Sequence, residues 1–258
     1  MRKTDLKLKI LALATLAPWL LVSCSNLRVH AGTPADLPNG PAGTILTKYL
    51  QATQTHEDLR GASMQVDISA AVPKLKEFGH LLALRKISKV GQITYHVLGF
   101  QGDSTVKNQV IARYLQAEQQ GQGDQSLAIT PANYKFKFKG QKTENNKDVY
   151  VFQLSPRKKK VGLFKGEIWL DTKTCLPVLE KGTLVKNPSI FFKKVDFERD
   201  FAIRDGASIP QSMTSTIDVR LIGKVQLNIN YSNFALNADT DSTPDVSQAS
   251  SVPASMTK

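Results

Sequence analysis

The sequence predicts an α+β fold in which helices cover the concave face of a strongly curved antiparallel β-sheet, a half-open β-barrel. Beyond residue 130 the chain consists of short segments in which apolar and polar residues alternate, separated by turn residues. This pattern is typical of one large antiparallel sheet. Two earlier stretches instead space their apolar residues as on one side of a helix. Because a sheet with one apolar face must bury it, we expect these two helices to cover that face.

The chain begins with the pattern of a secretory signal. Four basic residues precede an uncharged run, Ile10 to Val22, that is 13 residues long. A membrane-spanning helix needs about 20 apolar residues, so a cleaved signal is favoured over a permanent anchor. The residues that end the run, Leu21-Val22-Ser23-Cys24, resemble the lipobox of bacterial lipoproteins. The alternative is an ordinary cleavage near Ala31, which would discard Cys24.

The lipobox resemblance implies a lipid anchor at Cys24. In lipoproteins of this kind the cysteine thiol takes a diacylglycerol, and cleavage makes that cysteine the first residue of the mature protein. Several acyl chains, each contributing about 0.8 kcal/mol per buried methylene, would hold the protein on a membrane. In enteric bacteria an aspartate directly after the lipidated cysteine tends to retain a lipoprotein at the inner membrane. This chain has Ser25 at that position, which resembles the lipoproteins that are sorted to the outer membrane. We therefore expect a lipid-anchored envelope protein on the periplasmic face of the outer membrane.

Composition divides the chain into four segments. Residues 1–23 are the expected signal peptide, and residues 24–43, rich in Pro, Gly, Asn and Ala, are a flexible tether. Residues 44–234 are long enough for one domain with a sizeable core. Residues 235–258 consist mainly of Asp, Ser, Thr, Pro and Ala, and they are expected to form a disordered polar tail.

The chain is strongly basic, with a formal charge of +12. The signal holds four basic residues and one acidic residue, so its removal leaves about +9. An exported basic protein is expected to meet anionic lipid head groups, lipopolysaccharide-like phosphates or acidic polymers, and not nucleic acid. With Cys24 acylated, Cys175 has no partner for an internal disulfide, and we expect it to be half-buried in a turn of a monomeric protein.

The first half of the domain is predicted to combine helices and strands. Ile45–Leu59 has the spacing of an amphipathic helix, and Asp103 or Ser104 can cap a second helix. The stripe of that second helix holds Val106, Val110, Ile111, Tyr114 and Leu115. Three period-two segments between the helices predict strands: Ser63–Ala70, Gly79–Ile87 and Ile93–Phe100.

The second half of the domain is predicted to contain strands only. Tyr134, Phe136 and Phe138 alternate with three lysines, Lys135, Lys137 and Lys139. The further strand candidates are Val149–Leu154, Glu167–Asp171, Val178–Val185, Ile190–Phe201, Gln211–Ile222 and Lys224–Phe234.

Two stretches within this series of predicted strands resemble the lipoprotein-carrier superfamily of the LolA/LolB type. Tyr150–Glu180, YVFQLSPRKKKVGLFKGEIWLDTKTCLPVLE, is similar to the family's strand, basic hairpin and following strand with Trp, Asp, Thr and Pro. Asn187–Met213, NPSIFFKKVDFERDFAIRDGASIPQSM, is similar to its next pair of strands. The resemblance covers residues 44–234. It implies a sheet and a helical lid that enclose an apolar cavity for acyl chains.

Five aromatic residues are the candidates for lining such a cavity: Tyr134, Phe136, Phe138, Phe152 and Trp169. The alternative is that they fill a dry core, as aromatic residues on alternating strands usually do. The carriers also hold an arginine in the cavity that helps to latch the lid. Arg85, on an early strand, and Arg113, on the second helix, are possible counterparts, but neither lies in a matching motif.

The basic stretch between two predicted strands is a candidate for membrane contact. Its residues are Arg157, Lys158, Lys159, Lys160, Leu163 and Phe164. A hairpin tip with apolar residues beside lysines can enter a membrane interface while the lysines meet phosphates. The alternative is a solvated basic turn in which Leu163 and Phe164 fold back onto the sheet.

No enzyme signature is convincing, so we expect no catalytic residue and no cofactor. Ser155 and Lys158 match a Ser-x-x-Lys pattern, but the serine ends a predicted strand and no Lys-Thr-Gly follows. The four histidines show no metal-ligand spacing. The favoured hypothesis is a lipid-anchored protein that binds acyl chains of lipids or lipoproteins, in lipoprotein sorting or lipid transfer. The alternative is a structural or sensory module that binds a protein, lipopolysaccharide or peptidoglycan through its basic surface.

Overall fold

The computed structural model describes residues 40–55, 59–121 and 124–236. The predicted signal, Cys24, almost all of the tether and nearly all of the C-terminal tail therefore lie outside the described residues. Within the described part of the chain, no helix is both long and apolar enough to cross a membrane.

The domain contains two helices and ten strands. Helix α1 spans Pro41–Thr55, so it begins inside the segment predicted as tether. Helix α2 is built from three consecutive pieces: Ser104–Val106, a π-helical segment Lys107–Ile111, and Ala112–Gly121. A single 3-10 turn, Pro73–Leu75, joins the first two strands. The strands are β1 Ser63–Val72, β2 Glu77–Ile87, β3 Ile93–Gly102, β4 Tyr134–Glu144, β5 Lys147–Pro156, β6 Phe164–Asp171, β7 Pro177–Leu184, β8 Phe192–Arg204, β9 Ala207–Val219 and β10 Gly223–Ala235.

All ten strands form one open antiparallel sheet in the order β3-β2-β1-β10-β9-β8-β7-β6-β5-β4. The prediction of a single antiparallel sheet is confirmed. The first strand, β1, pairs with the last strand, β10, with Ile68 opposite Ile229. This pairing joins strands β1 to β3 and strands β4 to β10 into one sheet. Among the described residues, strands β3 and β4 are the two edges of the sheet.

Both helices pack on the same side of the sheet, which we call the helix-covered face. Val106, Ile111 and Leu115 of α2 share a buried cluster with residues of β1, β2, β9 and β10. Leu46 and Tyr49 of α1 share a second buried cluster with residues of β4, β5 and β6. The two clusters lie on one face because the strand registers connect them through directly opposed residues.

The sheet carries a smaller apolar patch on its other side, which we call the open face. Val149, Val151, Trp169 and Leu179 form this patch. The alternation of side chains along a strand places Ile168 on the helix-covered face and the next residue, Trp169, on the open face. The open face also holds the lysines of β4, including Lys135, Lys137 and Lys139, and apolar residues of β2 such as Phe78 and Leu82.

Candidate functional site

Helix α2 is fixed to the helix-covered face by two kinds of contact. Its apolar contacts come from Val106, Ile111 and Leu115, all in its first two-thirds. Its C-terminal part makes polar contacts through Tyr114, Glu118 and Gln119.

Glu118 is the centre of the polar contacts. Its Oε1 accepts a hydrogen bond from Arg85 Nη2 at 2.9 Å, and its Oε2 accepts one from the Tyr95 hydroxyl. Arg85 Nε also donates to the Tyr95 hydroxyl at 3.3 Å. The arginine side chain is buried and the glutamate is partly exposed. We call these three residues the Arg85–Tyr95–Glu118 cluster, which joins α2 to strands β2 and β3.

Electrostatics keep both donors of this cluster protonated. Burial alone would lower the pKa of Arg85, but the charge of Glu118 and the Tyr95 hydroxyl outweigh it, so the pKa is raised. Burial also raises the pKa of Tyr95, and the charge of Glu118 raises it further. At neutral pH the cluster is therefore a carboxylate that accepts from a guanidinium and a phenol.

Further polar contacts of α2 lie beside this cluster. The Tyr114 hydroxyl lies 3.5 Å from the Tyr231 hydroxyl and 3.6 Å from Met213 Sδ. Gln119 Nε2 donates to the carbonyl of Ile93 at 3.2 Å. The C-terminal part of α2 is thus held mainly by hydrogen bonds and one ion pair.

A second ion pair stands on neighbouring strands at the middle of the helix-covered face. Arg199 Nη1 on β8 lies 3.2 Å from Glu180 Oε2 on β7. Glu180 is buried, whereas the Arg199 side chain is 39% exposed. Burial lowers the pKa of Arg199, but the carboxylate of Glu180 and nearby tyrosines outweigh it, so the pKa is raised.

Glu180 is expected to make the stability of the fold fall as the pH rises. Burial raises the pKa of Glu180 above its ordinary 4.5, and Arg199 offsets this only in part. A carboxyl group with a raised folded pKa favours folding below its unfolded pKa, and this contribution disappears as the pH climbs through the folded pKa. Tyr49 and Tyr134 also face Glu180. Burial raises the pKa of both hydroxyls, that of Tyr134 to about 12, so neither ionises in the pH range in which the Glu180 carboxyl group does.

The measurement is urea unfolding at several values between about pH 4 and 7. Across that window the free energy of unfolding of the wild type should decrease relative to that of Glu180→Gln, which cannot ionise. Two curves that stay parallel over the window would contradict a raised pKa at Glu180.

The space beside the Arg85–Tyr95–Glu118 cluster is small. A hollow that encloses about 30 Å³ is lined by residues of β1, β8, β9 and β10, among them Met64, Tyr231 and Phe234. Met64 Sδ lies 3.7 Å from Arg85 Nη1, so the hollow adjoins the cluster. This volume has room for about one or two water molecules and not for an acyl chain.

Four of the five aromatic residues proposed as ligand-binding come together on the helix-covered face. Phe138 and Phe152 have ring centroids 5.1 Å apart, and Phe136 lies 6.1 Å from Phe152. Tyr134 packs against Phe164 at 5.7 Å. Tyr134 and Phe152 are completely buried. Phe136, Phe138 and Phe152 therefore pack on one another, and Phe136 also lies 6.4 Å from the Tyr49 ring of α1.

Trp169, the fifth of these residues, lies apart from the others on the open face. Its ring is covered by Lys142 Nζ at 3.2 Å and by Lys181 Nζ at 4.4 Å from the ring centroid. Its indole nitrogen donates to Glu167 Oε2 at 2.9 Å. Trp169 therefore cannot share a cavity with Phe152.

The basic stretch forms a turn before β6, with its two apolar residues folded inward. Leu163 and Phe164 are 2% and 5% exposed and belong to the cluster under α1. Lys158 and Lys159 are exposed, and Lys160 is paired with Asp124 at 2.8 Å. Arg157 Nε donates to the carbonyl of Pro131. In this conformation Leu163 and Phe164 are not available to enter a membrane, whereas Val161 is 39% exposed and Lys158 and Lys159 are free to meet phosphates.

Of the four charged residues of this face, the sequence analysis named Arg85 and missed Glu118, Arg199 and Glu180. Glu118 lies three residues after Leu115, so it continues the apolar stripe of the helix. Arg85 stands at an inward position of β2, and Arg199 and Glu180 stand at inward positions of β8 and β7. The sequence signal that could have found these residues is a charged residue at a position where the apolar pattern of the strand or helix predicts a core residue. Of the two arginines considered as a latch, Arg85 makes the contact, whereas Arg113 binds Gln109 on its own exposed helix face.

Comparison with known proteins gives similarities in fold. No family model matches the sequence, and no curated protein is similar to it. A DUF1329 family protein from Desulfovibrio piger is 12% identical, with a TM-score of 0.43 over 78% of this chain and 95% of that one. An outer membrane lipoprotein-sorting domain from Vibrio parahaemolyticus is 11% identical, with a TM-score of 0.40 over 75% and 92%.

A LolA superfamily protein from Nitrosomonas europaea is also similar, at 12% identity and a TM-score of 0.35 over 75% of this chain and 92% of that one. The names of the last two proteins, outer membrane lipoprotein-sorting and LolA superfamily, are those of the family that the sequence resembles.

Proposed function

We propose that this protein is a lipid-anchored carrier of the bacterial envelope that binds acyl chains between helix α2 and the helix-covered face. The ligands would be lipids or the acyl chains of lipoproteins, bound and released without covalent chemistry. The observation that carries the proposal is that α2 covers an apolar sheet face while its C-terminal part is held by the Arg85–Tyr95–Glu118 cluster.

Polar contacts suit a helix that must open. When α2 lifts, Arg85, Tyr95 and Glu118 can exchange their bonds with each other for bonds with water, so the net loss is a small part of their strength. Water does not compensate for the exposure of the apolar residues of β1, β2 and β10, because each methylene that leaves a buried position loses about 0.8 kcal/mol. An acyl chain in the opened space restores that burial. The ligand therefore selects the open conformation.

The hollow that adjoins the cluster encloses about 30 Å³, which is too small for an acyl chain, and it is lined by strand residues and not by α2. Binding must accordingly displace α2 and increase the volume beneath it. Two of the three apolar anchors, Val106 and Ile111, precede the last helical piece, Ala112–Gly121, and the third, Leu115, lies near its start. The C-terminal part can lift while the N-terminal part remains packed.

The anchoring part of the proposal rests on the signal and on Leu21-Val22-Ser23-Cys24, which lie outside the described residues. An acylated Cys24 and a tether would keep the domain close to a membrane, within reach of its ligands, on the periplasmic face of the outer membrane.

A second candidate function is a binding module that uses the basic open face. Lys135, Lys137 and Lys139 are exposed in a row along edge strand β4. A shallow groove of about 170 Å³ next to them is lined by Lys139, Lys142 and Glu167, among others. This surface is complementary to phosphates of lipopolysaccharide or to an acidic partner.

Native mass spectrometry of the full-length protein purified from cells tests the carrier proposal. The covalent anchor remains under denaturing conditions, so a bound ligand is the mass seen only under native conditions. We expect such a mass in the range of a lipid, and saturable binding of added palmitate after its removal. A protein with neither would overturn the carrier proposal and leave the binding module.

Glu118→Gln should loosen α2. The substitution keeps the shape of the side chain but leaves the buried guanidinium of Arg85 without its counter-charge, so α2 should open about tenfold more often, equivalent to about 1.4 kcal/mol. Hydrogen exchange of the amides in Ala112–Gly121 measures this opening. Glu198→Gln, an exposed glutamate of β8, is the matched control and should leave the exchange unchanged. Equal protection in both variants would mean that the cluster does not hold the helix.

A further inference from the structure

One row of directly opposed residues crosses the helix-covered face through all ten strands. From β3 to β9 it contains five apolar residues: Phe100, Leu81, Ile68, Ile229 and Met213. From β6 to β4 it contains three more: Ile168, Phe152 and Phe138. Between these two sets stand Arg199 on β8 and Glu180 on β7. The row is therefore apolar at both ends and charged in the middle.

The ion pair stands where the two apolar clusters meet. Arg199 Nη2 lies 4.0 Å from Met213 Sδ, which belongs to the cluster under α2. Two residues earlier on the same strand is Phe197, whose ring centroid lies 5.9 Å from the guanidinium and which packs against the cluster under α1. Phe197 and Phe164 stack edge to face at 4.9 Å. The pair thus separates a half of the face held by hydrogen bonds from a half filled by aromatic rings.

A chain of methylenes cannot lie across this pair without a cost. The Arg199 side chain is 39% exposed and keeps part of its hydration, which an acyl chain would remove without offering a hydrogen bond. Glu180 is buried and cannot turn away to make a second contact with water. The part of the row from Phe100 on β3 to Met213 on β9 contains no charged residue, and it spans about 19 Å at about 4.8 Å per strand spacing.

We propose that the Arg199–Glu180 pair is a partition that ends the acyl-binding space beneath α2 and so limits the length of the chain that the protein accepts. This inference rests on the proposed carrier function. It makes Arg199 and Glu180 specificity-determining residues, and it confines the ligand to the half of the face formed by β3, β2, β1, β10 and β9.

The first experiment measures dissociation constants for a homologous series of saturated fatty acids, from octanoate to eicosanoate, with the full-length protein. The wild type should bind more tightly with increasing length up to a limit and not beyond. Arg199→Met/Glu180→Met makes the row apolar throughout, and replacement of a whole buried ion pair by apolar residues is often neutral for stability. In this variant the preference for the longest acids should increase about tenfold relative to the wild type.

Glu198→Gln, an exposed residue next to Arg199 on β8 that lies on the open face, is the matched control and should keep the wild-type length limit. An unchanged length profile in the double variant would overturn the partition. If the wild type binds fatty acids in that case, the carrier function still stands. If the wild type bound no acid of any length, the carrier function and the partition would both be wrong.

The second experiment uses only the wild type, so it does not depend on the folding of a variant. A fatty acid with a diazirine on its terminal carbon is photo-crosslinked to the protein, and the labelled peptides are identified by mass spectrometry. Labels should lie on β1, β2, β9, β10 or α2. Labels concentrated on β5 and β6, beyond the ion pair, would contradict the partition.

Discussion

Phe152→Ala is expected to lower the free energy of unfolding by about 3–5 kcal/mol. The Phe152 ring is completely buried in the cluster under α1, and its neighbours Phe136 and Phe138 are themselves held by the sheet. Removing the ring costs its transfer free energy and leaves a cavity that these neighbours cannot fill, because rigid rings on paired strands move little. Urea-induced unfolding of the full-length protein measures the change.

The size of this effect distinguishes a filled core from a ligand cavity. Phe138→Ala, in the same row but half-buried on edge strand β4, is the matched control and should cost only about half as much. If Phe152 instead lined an open cavity, truncation would remove few contacts. A loss below about 1 kcal/mol for Phe152→Ala would therefore restore it as a ligand-binding residue and contradict the packed half of the face.

Gly166→Ala is expected to destabilise the protein by at least about 3 kcal/mol, at the upper end of the range for overpacking. A Cβ atom on Gly166 would lie 1.9 Å from the carbonyl oxygen of Lys181 and 2.6 Å from Gly182 Cα. Both obstacles are backbone atoms of the adjacent strand, so no side chain can rotate away. Strands β6 and β7 pair at this point, with Gly166 opposite Gly182, and they would have to separate.

The reason for this pair of glycines is the packing around them. A Cβ on Gly182 would lie 2.5 Å from the carbonyl oxygen of Lys165 and 2.7 Å from Phe164 Cδ2. The missing side chains therefore let the two backbones approach and leave space for the Phe164 ring, which stacks on Phe197. The glycine pair positions the aromatic half of the helix-covered face.

Gly99→Ala on β3 is the matched control, because a Cβ atom there meets nothing within 4 Å. Its free energy of unfolding should change by less than about 1 kcal/mol. The yield of folded protein and its urea midpoint are the measurements for both variants. Wild-type stability of Gly166→Ala would mean that β6 and β7 are farther apart at this position than the structure has them.

The strands could be predicted because their signal is local. Period-two alternation and short apolar runs between turn residues predicted segments that overlap all ten strands, and the apolar stripe from Val106 to Leu115 indicated α2. The start of α1 at Pro41 was missed, since Pro41 and Ala42 belong to a stretch whose composition is typical of a tether.

The candidate site was predicted only in part, because alternation loses information in two situations. Where Ile168, Trp169 and Leu170 are all apolar, the pattern does not tell which of them faces the helices, and the pairing of β5 with β6 places Trp169 on the other face. Where Arg85 and Glu118 occupy core positions, the pattern is broken by a charge, and only the contact between the two explains it.

The sequence by itself determined the fold class, the strand segments and the basic character of the surface, since these depend on each residue and its near neighbours. The tertiary structure decided which strands pair, which face each aromatic residue takes, and that Arg199 meets Glu180 in the middle of the sheet. These outcomes depend on the free energy of contacts between residues far apart in the chain, and a charge is acceptable at a buried position only when its partner is brought there by the fold.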